Sequence, residues 1–204
     1  EVKLAGDYTF DAPRKIVWEA LLDPVVLAAT LPGCDKLDLI DGVYQGALNV
    51  KVGPVQGKFQ GKVKLENLRE LEGYTMVVDG KGAPGFMKAN ADIVLTDSES
   101  GVTTMTYDSE AKVGGRIASV GQRLLEASAK AIIKQSLDGL NETMRERAAG
   151  NAEAVPKQIN EAEFARKVAS EVTKELIPTP VRYALALAAV AGIGALVYFF
   201  FLAR

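Results

Sequence analysis

Residues 55–65 read Val-Gln-Gly-Lys-Phe-Gln-Gly-Lys-Val-Lys-Leu. Every odd position is apolar or glycine, and every even position is Gln or Lys. Successive strand residues point to opposite faces, so this segment is a strand with one dry side and one wet side. Parallel strands are covered on both faces and read as continuous apolar runs. A strand wet on one side therefore belongs to an antiparallel sheet that buries a single face.

The rest of the first 150 residues fits around that strand. Leu4 to Phe10 reads as a strand, closed by Asp11-Ala12-Pro13. Arg14 to Leu22 has helical spacing, with Ile16, Val17, Ala20 and Leu21 on one side and Pro13 suited to its start. Asp23-Pro24 opens a second short helix that ends at Pro32-Gly33. Tyr44, Gly46, Leu48, Val50 and Val52 alternate on one strand face, and Gly53-Pro54 turns into 55–65. Tyr74–Lys81, Lys88–Thr96 and Thr103–Val113 read as further strands, with hairpin turns expected at Asp41-Gly42 and Ser100-Gly101. Arg116 to Met144 reads as one long helix with an apolar side and a small-residue midsection at Ala127, Ser128, Ala129 and Ala131. The order is strand, two short helices, about six strands, long helix. The fold class is α+β, a curved antiparallel sheet closed over a long helix. Glycines at 46, 53, 57 and 61 would permit the bends.

The chemistry such a domain could perform is narrow. The chain has no histidine and one cysteine, Cys34. Ser-His-Asp and Cys-His nucleophiles, His-ligated zinc and Cys-cluster metal sites are excluded. The net charge is −2 with no dense basic block, which points away from nucleic acid. Gly80 to Gly85 matches GxGxxG, but a strand follows it where a dinucleotide site needs a helix, so it reads as a hairpin loop with Phe86-Met87 as an apolar tip or lid. Asp35, Asp38 and Asp41 have neither calcium-loop nor paired-carboxylate spacing. Lys58, Lys62 and Lys64 make one strand face basic, either as a solvated face or as a docking surface for an acidic partner or anionic lipid.

The inward positions are apolar: Leu48, Val50, Phe59, Val63, Met76, Val78, Phe86, Met87, Ile93, Met105 and Tyr107, with Val120 and Leu124 from the helix. They form either a packed core or the wall of an apolar ligand cavity, and periodicity does not decide between these. Gly57, Gly61 and the small helix midsection favour an underfilled space. No catalytic residue and no metal ligand is expected.

Beyond Gly150 the chain changes. Residues 148–180 read as a flexible or partly helical tether, broken by Pro178 and Pro180. Val181 to Ala203 is apolar apart from Arg182 and spans roughly 35 Å as a helix, enough to cross a hydrocarbon core. A single transmembrane helix at 181–203 is expected. Arg166, Lys167, Lys174 and Arg182 precede it and Arg204 alone follows, so the domain at 1–147 should face the cytoplasm and sit at the cytoplasmic membrane. No signal-peptide pattern opens the chain.

Leu31-Pro32-Gly33-Cys34, the GPVxGxFxGxV run over Gly53–Val63 and the GxGxxGF segment over Gly80–Phe86 together resemble the CoxG family associated with carbon monoxide dehydrogenase, over roughly residues 2–147. That family lies in the START-like, Bet v 1-like superfamily, whose helix-grip fold agrees with the element order above. The resemblance implies attachment of a molybdenum carbon monoxide dehydrogenase to the membrane and a cavity for a hydrophobic molecule. Combined with the anchor, it suggests a non-enzymatic carrier of a lipid quinone, menaquinone or ubiquinone, linking that enzyme to the respiratory quinone pool. Tyr107, Asn49 and Gln122 are candidate headgroup contacts. The alternative is a docking or assembly factor with no bound ligand.

Overall fold

The computed structural model describes residues 1–97, 101–151 and 153–156. Seven strands are present: β1 Val2–Phe10, β2 Cys34–Ile40, β3 Val43–Val52, β4 Val55–Arg69, β5 Gly73–Gly82, β6 Gly85–Asp97 and β7 Thr103–Gly114. Two short helices, α1 Arg14–Leu22 and α2 Pro24–Thr30, follow β1, and α3 Gln122–Ala148 closes the domain. The sheet order is β1-β7-β6-β5-β4-β3-β2. Every pairing is antiparallel. β2 to β7 form a meander, and β1 returns to the far edge beside β7.

Local chemistry sets the punctuation. The Pro13 carbonyl accepts from the Ile16 and Val17 amides to open α1. The Asp23 carboxylate caps α2, accepting from Val25 at 2.9 Å and Val26 at 3.3 Å. The Leu31-Pro32-Gly33-Cys34 element is the corner from α2 into the sheet. Gly33 has φ +75°, and a Cβ there would run into the Asn49 carbonyl oxygen. Its own carbonyl accepts from the Asn49 amide at 2.8 Å, so a glycine ties the corner to β3. Asp41 and Gly42, at φ 50° and 76°, make the left-handed turn between β2 and β3.

The one-sided sheet packs against the helices through two separate apolar clusters. The larger joins Phe10, Val17, Trp18, Leu21, Val26, Tyr74, Ile93, Leu95, Met105, Leu137, Leu140 and Met144. The smaller, at the other end, joins Val52, Phe59 and Ile117, with Val50, Val55, Val113, Val120, Leu124 and Leu125 against it. α3 is held at its far end by polar ties. Tyr8 donates to Asp138 at 2.8 Å, the Asp11 amide donates to Asn141 Oδ1 at 2.8 Å, and Arg147 reaches Asp23 at 3.1 Å.

Two sequence expectations need correcting, and one strand went unassigned. Arg116–Met144 is not one helix: Arg116–Val120 is a 3-10 turn, and Gly121 at φ +91° separates it from α3. Cys34–Ile40 is a strand whose residues alternate weakly, with a bulge between Cys34 and Lys36. The loop expected at Gly80–Gly85 shrinks to a tight turn, because β5 runs to Gly82 and β6 starts at Gly85. Among the described residues no helix is long and apolar enough to cross a membrane, and the 181–203 run lies outside them. Most of the tether lies outside them too.

A glycine-floored space between sheet and helix

Between the two clusters the sheet's inner face carries little side-chain mass. The register places Gly46 beside Gly61, and Gly61 beside Gly80, across β3, β4 and β5. A Cβ added at Gly61 would find only the Asp79 carbonyl oxygen, at 4.0 Å. At Gly80 it would find the Met87 carbonyl oxygen at 3.8 Å and Phe59 Cδ1 at 4.0 Å. Gly80 is nonetheless buried. The distances at Gly61 and Gly80 are ordinary van der Waals contacts, so an added methyl at either glycine would push no neighbour aside. Flanking them, Leu48, Val63 and Val78 are half-buried on the inner face and pack into neither cluster. The fully buried residues in the first half of α3 are all small: Ala127, Ser128 and Ala131.

Gly57 differs. A Cβ there would lie 2.5 Å from Pro84 Cγ, and Pro84 is fully buried. Gly57 thus admits the β5–β6 turn against β4 and does not enlarge the space. Gly6 likewise makes room for a neighbour, the Tyr107 ring, whose hydroxyl would sit 2.7 Å from a Cβ.

The candidate wall residues separate into groups. Leu48, Val63 and Val78 border the open middle. Met76 and Tyr107 lie at its boundary with the larger cluster, while Ile93 and Met105 are inside that cluster. Phe59, Val50, Val120 and Leu124 belong to the smaller cluster and form the opposite end wall. Met87 shares the inner row of β6 with Ala89 and Ala91 but stands at the strand's open end, 37% exposed. Phe86 is not in the inner wall. It alternates with Met87 and so points outward, 45% exposed, its ring lying over Gly114. Asn49 and Gln122 are also exposed, Gln122 donating to Glu126 at 2.8 Å.

The polar groups that the sequence did not single out are hydroxyls on α3. Ser128 Oγ and Ser136 Oγ are buried and have no hydrogen-bond partner. Ser128, 2% exposed, stands in the small-residue midsection of α3. An unsatisfied buried hydroxyl costs about 1–3 kcal/mol, so a donor or acceptor from a bound molecule would be favoured there. The expected small-residue stripe marked the position, but only the hydrogen-bond accounting marks the chemistry. The nearby phenols stay neutral: burial and the Asp138 hydrogen bond push the Tyr8 phenol up, and burial pushes Tyr74 and Tyr44 up. Among the described residues no group of His, Cys, Asp and Glu could hold a metal ion.

A seven-stranded antiparallel sheet wrapped on a C-terminal helix, with an underfilled apolar interior, defines a START-like domain. The sequence matches the carbon monoxide dehydrogenase CoxG family over residues 6–145, and the chain belongs to that family. Its fold is similar to a conserved protein from Geobacillus kaustophilus, at 29% identity and TM-score 0.68, covering 71% of this chain and 96% of that one. It is also similar to a START superfamily protein from Mycobacterium smegmatis, at 11% identity and TM-score 0.52, covering 70% and 98%. The ZhuI aromatase/cyclase from Streptomyces sp. R1128 is a third, at 19% identity and TM-score 0.53, covering 72% and 97%. The last two likenesses bear on fold alone. No curated protein matches the chain.

Proposed function

We propose that this protein is a membrane-anchored carrier of a lipid quinone, menaquinone or ubiquinone, that recruits a molybdenum carbon monoxide dehydrogenase to the cytoplasmic membrane and links it to the quinone pool. It does so without catalysing a reaction of its own. The observation that carries this reading is that Leu48, Val63 and Val78, apolar and on the inner face beside Gly61 and Gly80, are only half-buried and pack into neither apolar cluster. An isoprenoid tail is apolar and flexible, which suits a wall of aliphatic side chains with few polar groups. A quinone carbonyl is an acceptor, which suits the unpartnered Ser128 hydroxyl. Family membership supports the association with carbon monoxide dehydrogenase. The apolar run 181–203 supports the anchor, and a tether of about 25 residues would let the domain range roughly 25–30 Å from it.

The test is to purify the full chain from membranes, extract bound lipid and identify it by mass spectrometry. A long-chain quinone at near-stoichiometric amount is expected. Recovery of none, with no binding when quinone is added back, would leave the docking reading in its place.

A further inference from the structure

The opposite face of the sheet carries a second feature. Above β2 to β5, on the outer side, lies a groove of about 670 Å³ that includes Lys36, Asp38, Lys58, Lys62, Asp79 and Lys81. Both acids are already engaged: Asp38 bonds Lys36 at 2.8 Å, and Asp79 lies 3.8 Å from Lys88. Among the described residues the side chains of Lys58, Lys62 and Lys81 make no ion pair and no hydrogen bond. Beside them stands Phe86. The register pairs it with Lys81, and Lys88, two residues along on the same face, is paired with Lys112. A large aromatic 45% exposed thus stands next to Lys81 and Lys88 at one end of the sheet. The other end of the same face carries the acids Asp7, Asp92 and Asp108.

We propose that this lysine-rich face, with Phe86 at its edge, docks on the surface of an anionic lipid bilayer. Uncompensated lysines gather anionic phosphates, and an aromatic ring among them inserts at the headgroup–acyl boundary. An acidic protein surface would also satisfy the lysines, and the test below separates it from a bilayer. The chain itself supplies the proximity. Twenty-four residues, 157–180, separate the last described residue from the apolar run at 181. With the apolar run in the bilayer, as the proposed function has it, that length keeps the domain within reach of a membrane, and the acidic far end of the sheet would turn away from it. This goes beyond the carrier reading and does not depend on any bound quinone.

The test uses residues 1–156, which hold both apolar clusters and correspond in extent to the crystallised Geobacillus relative, so they fold without the remainder. Co-sedimentation is measured with vesicles of phosphatidylcholine alone and with 30 mol% phosphatidylglycerol added. Binding is expected only to the anionic vesicles, weakening steeply from 50 to 300 mM salt. A lysine near such a surface is worth about five-fold in binding, so the triple variant Lys58→Gln, Lys62→Gln, Lys81→Gln should bind on the order of 100-fold more weakly. A control triple, Lys3→Gln, Lys15→Gln, Lys134→Gln, removes the same charge elsewhere and should lose less than ten-fold. Phe86→Ser should also weaken binding, with an unchanged melting temperature as the fold control. Equal binding to neutral and anionic vesicles overturns the proposal, as does a groove triple that binds no worse than the control triple. So does capture of an acidic peptide or inorganic phosphate without any vesicle binding. Because the probe lacks the anchor and the readout ignores quinone, failure here leaves the carrier reading untouched.

Discussion

Substituting Gly61 by valine separates an empty interior from a filled one by the sign of a stability change. In a packed core an added isopropyl group overpacks and costs about 1–3 kcal/mol. Here the nearest atom to a Cβ at Gly61 is the Asp79 carbonyl oxygen at 4.0 Å, an ordinary contact, and the backbone is not in the left-handed region. No other atom lies within 4 Å of that Cβ, which leaves the valine methyls room. Replacing glycine removes unfolded-state freedom worth about 0.4–1 kcal/mol, and a β-branched residue in a strand interior adds up to about 1 kcal/mol more. The ligand-free domain should therefore gain roughly 1–2 kcal/mol, or about 2–8 °C in melting temperature at 2–4 °C per kcal/mol. Gly57→Ala supplies the opposite control, because its methyl would press on the buried Pro84 ring and should cost about 1–3 kcal/mol. Urea unfolding of residues 1–156 reads both. Quinone titrated into the same proteins should bind at least ten-fold more weakly to the Gly61 variant, since its methyls occupy the ligand's place. A Gly61→Val protein destabilised by more than 1 kcal/mol would refute the reasoning, because the space would then already be full.

Three further outcomes follow from named contacts. Ser128→Ala removes a buried hydroxyl that has no partner, so the ligand-free domain should gain about 1 kcal/mol in urea unfolding while its affinity for quinone drops several-fold. Arg147→Ala deletes a partly buried tie to Asp23 at 3.1 Å and to the Ala154 carbonyl at 3.0 Å, and should cost about 2 kcal/mol; Arg147→Lys should recover less than half, because an ammonium lacks the fork that makes both bonds. The phenols of Tyr8, Tyr44 and Tyr74 hold their protons more tightly folded than unfolded, so their contribution is intact below the ordinary tyrosine value of about 10 and is lost as pH rises above it. Thermal unfolding from pH 7 to 11 should show a fall beginning near pH 10, and Tyr74→Phe should make it shallower.

The strand order and the one-faced sheet were legible because burial of a single face writes a period of two into the sequence. Residues 55–65 show it most plainly, and β5, β6 and β7 repeat it. β2 was harder, since Leu37, Leu39 and Ile40 sit on an edge strand where half the apolar groups remain exposed and the alternation fades. The break at Gly121 was hidden because Ile117, Val120 and Leu124 keep helical spacing straight across it. The wall was legible as a list of inward residues but not as a cavity. Alternation tells which side a residue faces, not whether its neighbours reach it. Ile93 and Met105 look like Val63 and Val78 in sequence, yet the first pair is packed and the second is not. Phe86 was misplaced because the β5–β6 loop was read as too long, and a shift of one residue in a strand moves a side chain to the other face. The same ambiguity applied to the glycines: Gly57 and Gly61 are four residues apart on one face, and only the position of Pro84 separates their roles.

An unfilled interior is a cost unless something else holds its walls apart. A single continuous core would collapse onto the glycines, because lining atoms without partners forfeit their dispersion contacts. This domain divides its apolar packing into two clusters at opposite ends of α3, one built from α1, α2 and the β1, β6 and β7 side of the sheet, the other from the 3-10 turn and the β3–β4 hairpin. Each cluster fixes one end of the helix relative to the sheet, and the polar ties of Asp138, Asn141 and Arg147 add to the larger one. The helix is then fixed at both ends and cannot close on the middle of the sheet without dismantling one of them. On this account the space is set by the end walls and not by the residues that border it. Substitutions at Leu48, Val63 or Val78 should reshape ligand preference while leaving stability nearly unchanged, whereas truncations at Met144 or Leu140 should unfold the domain.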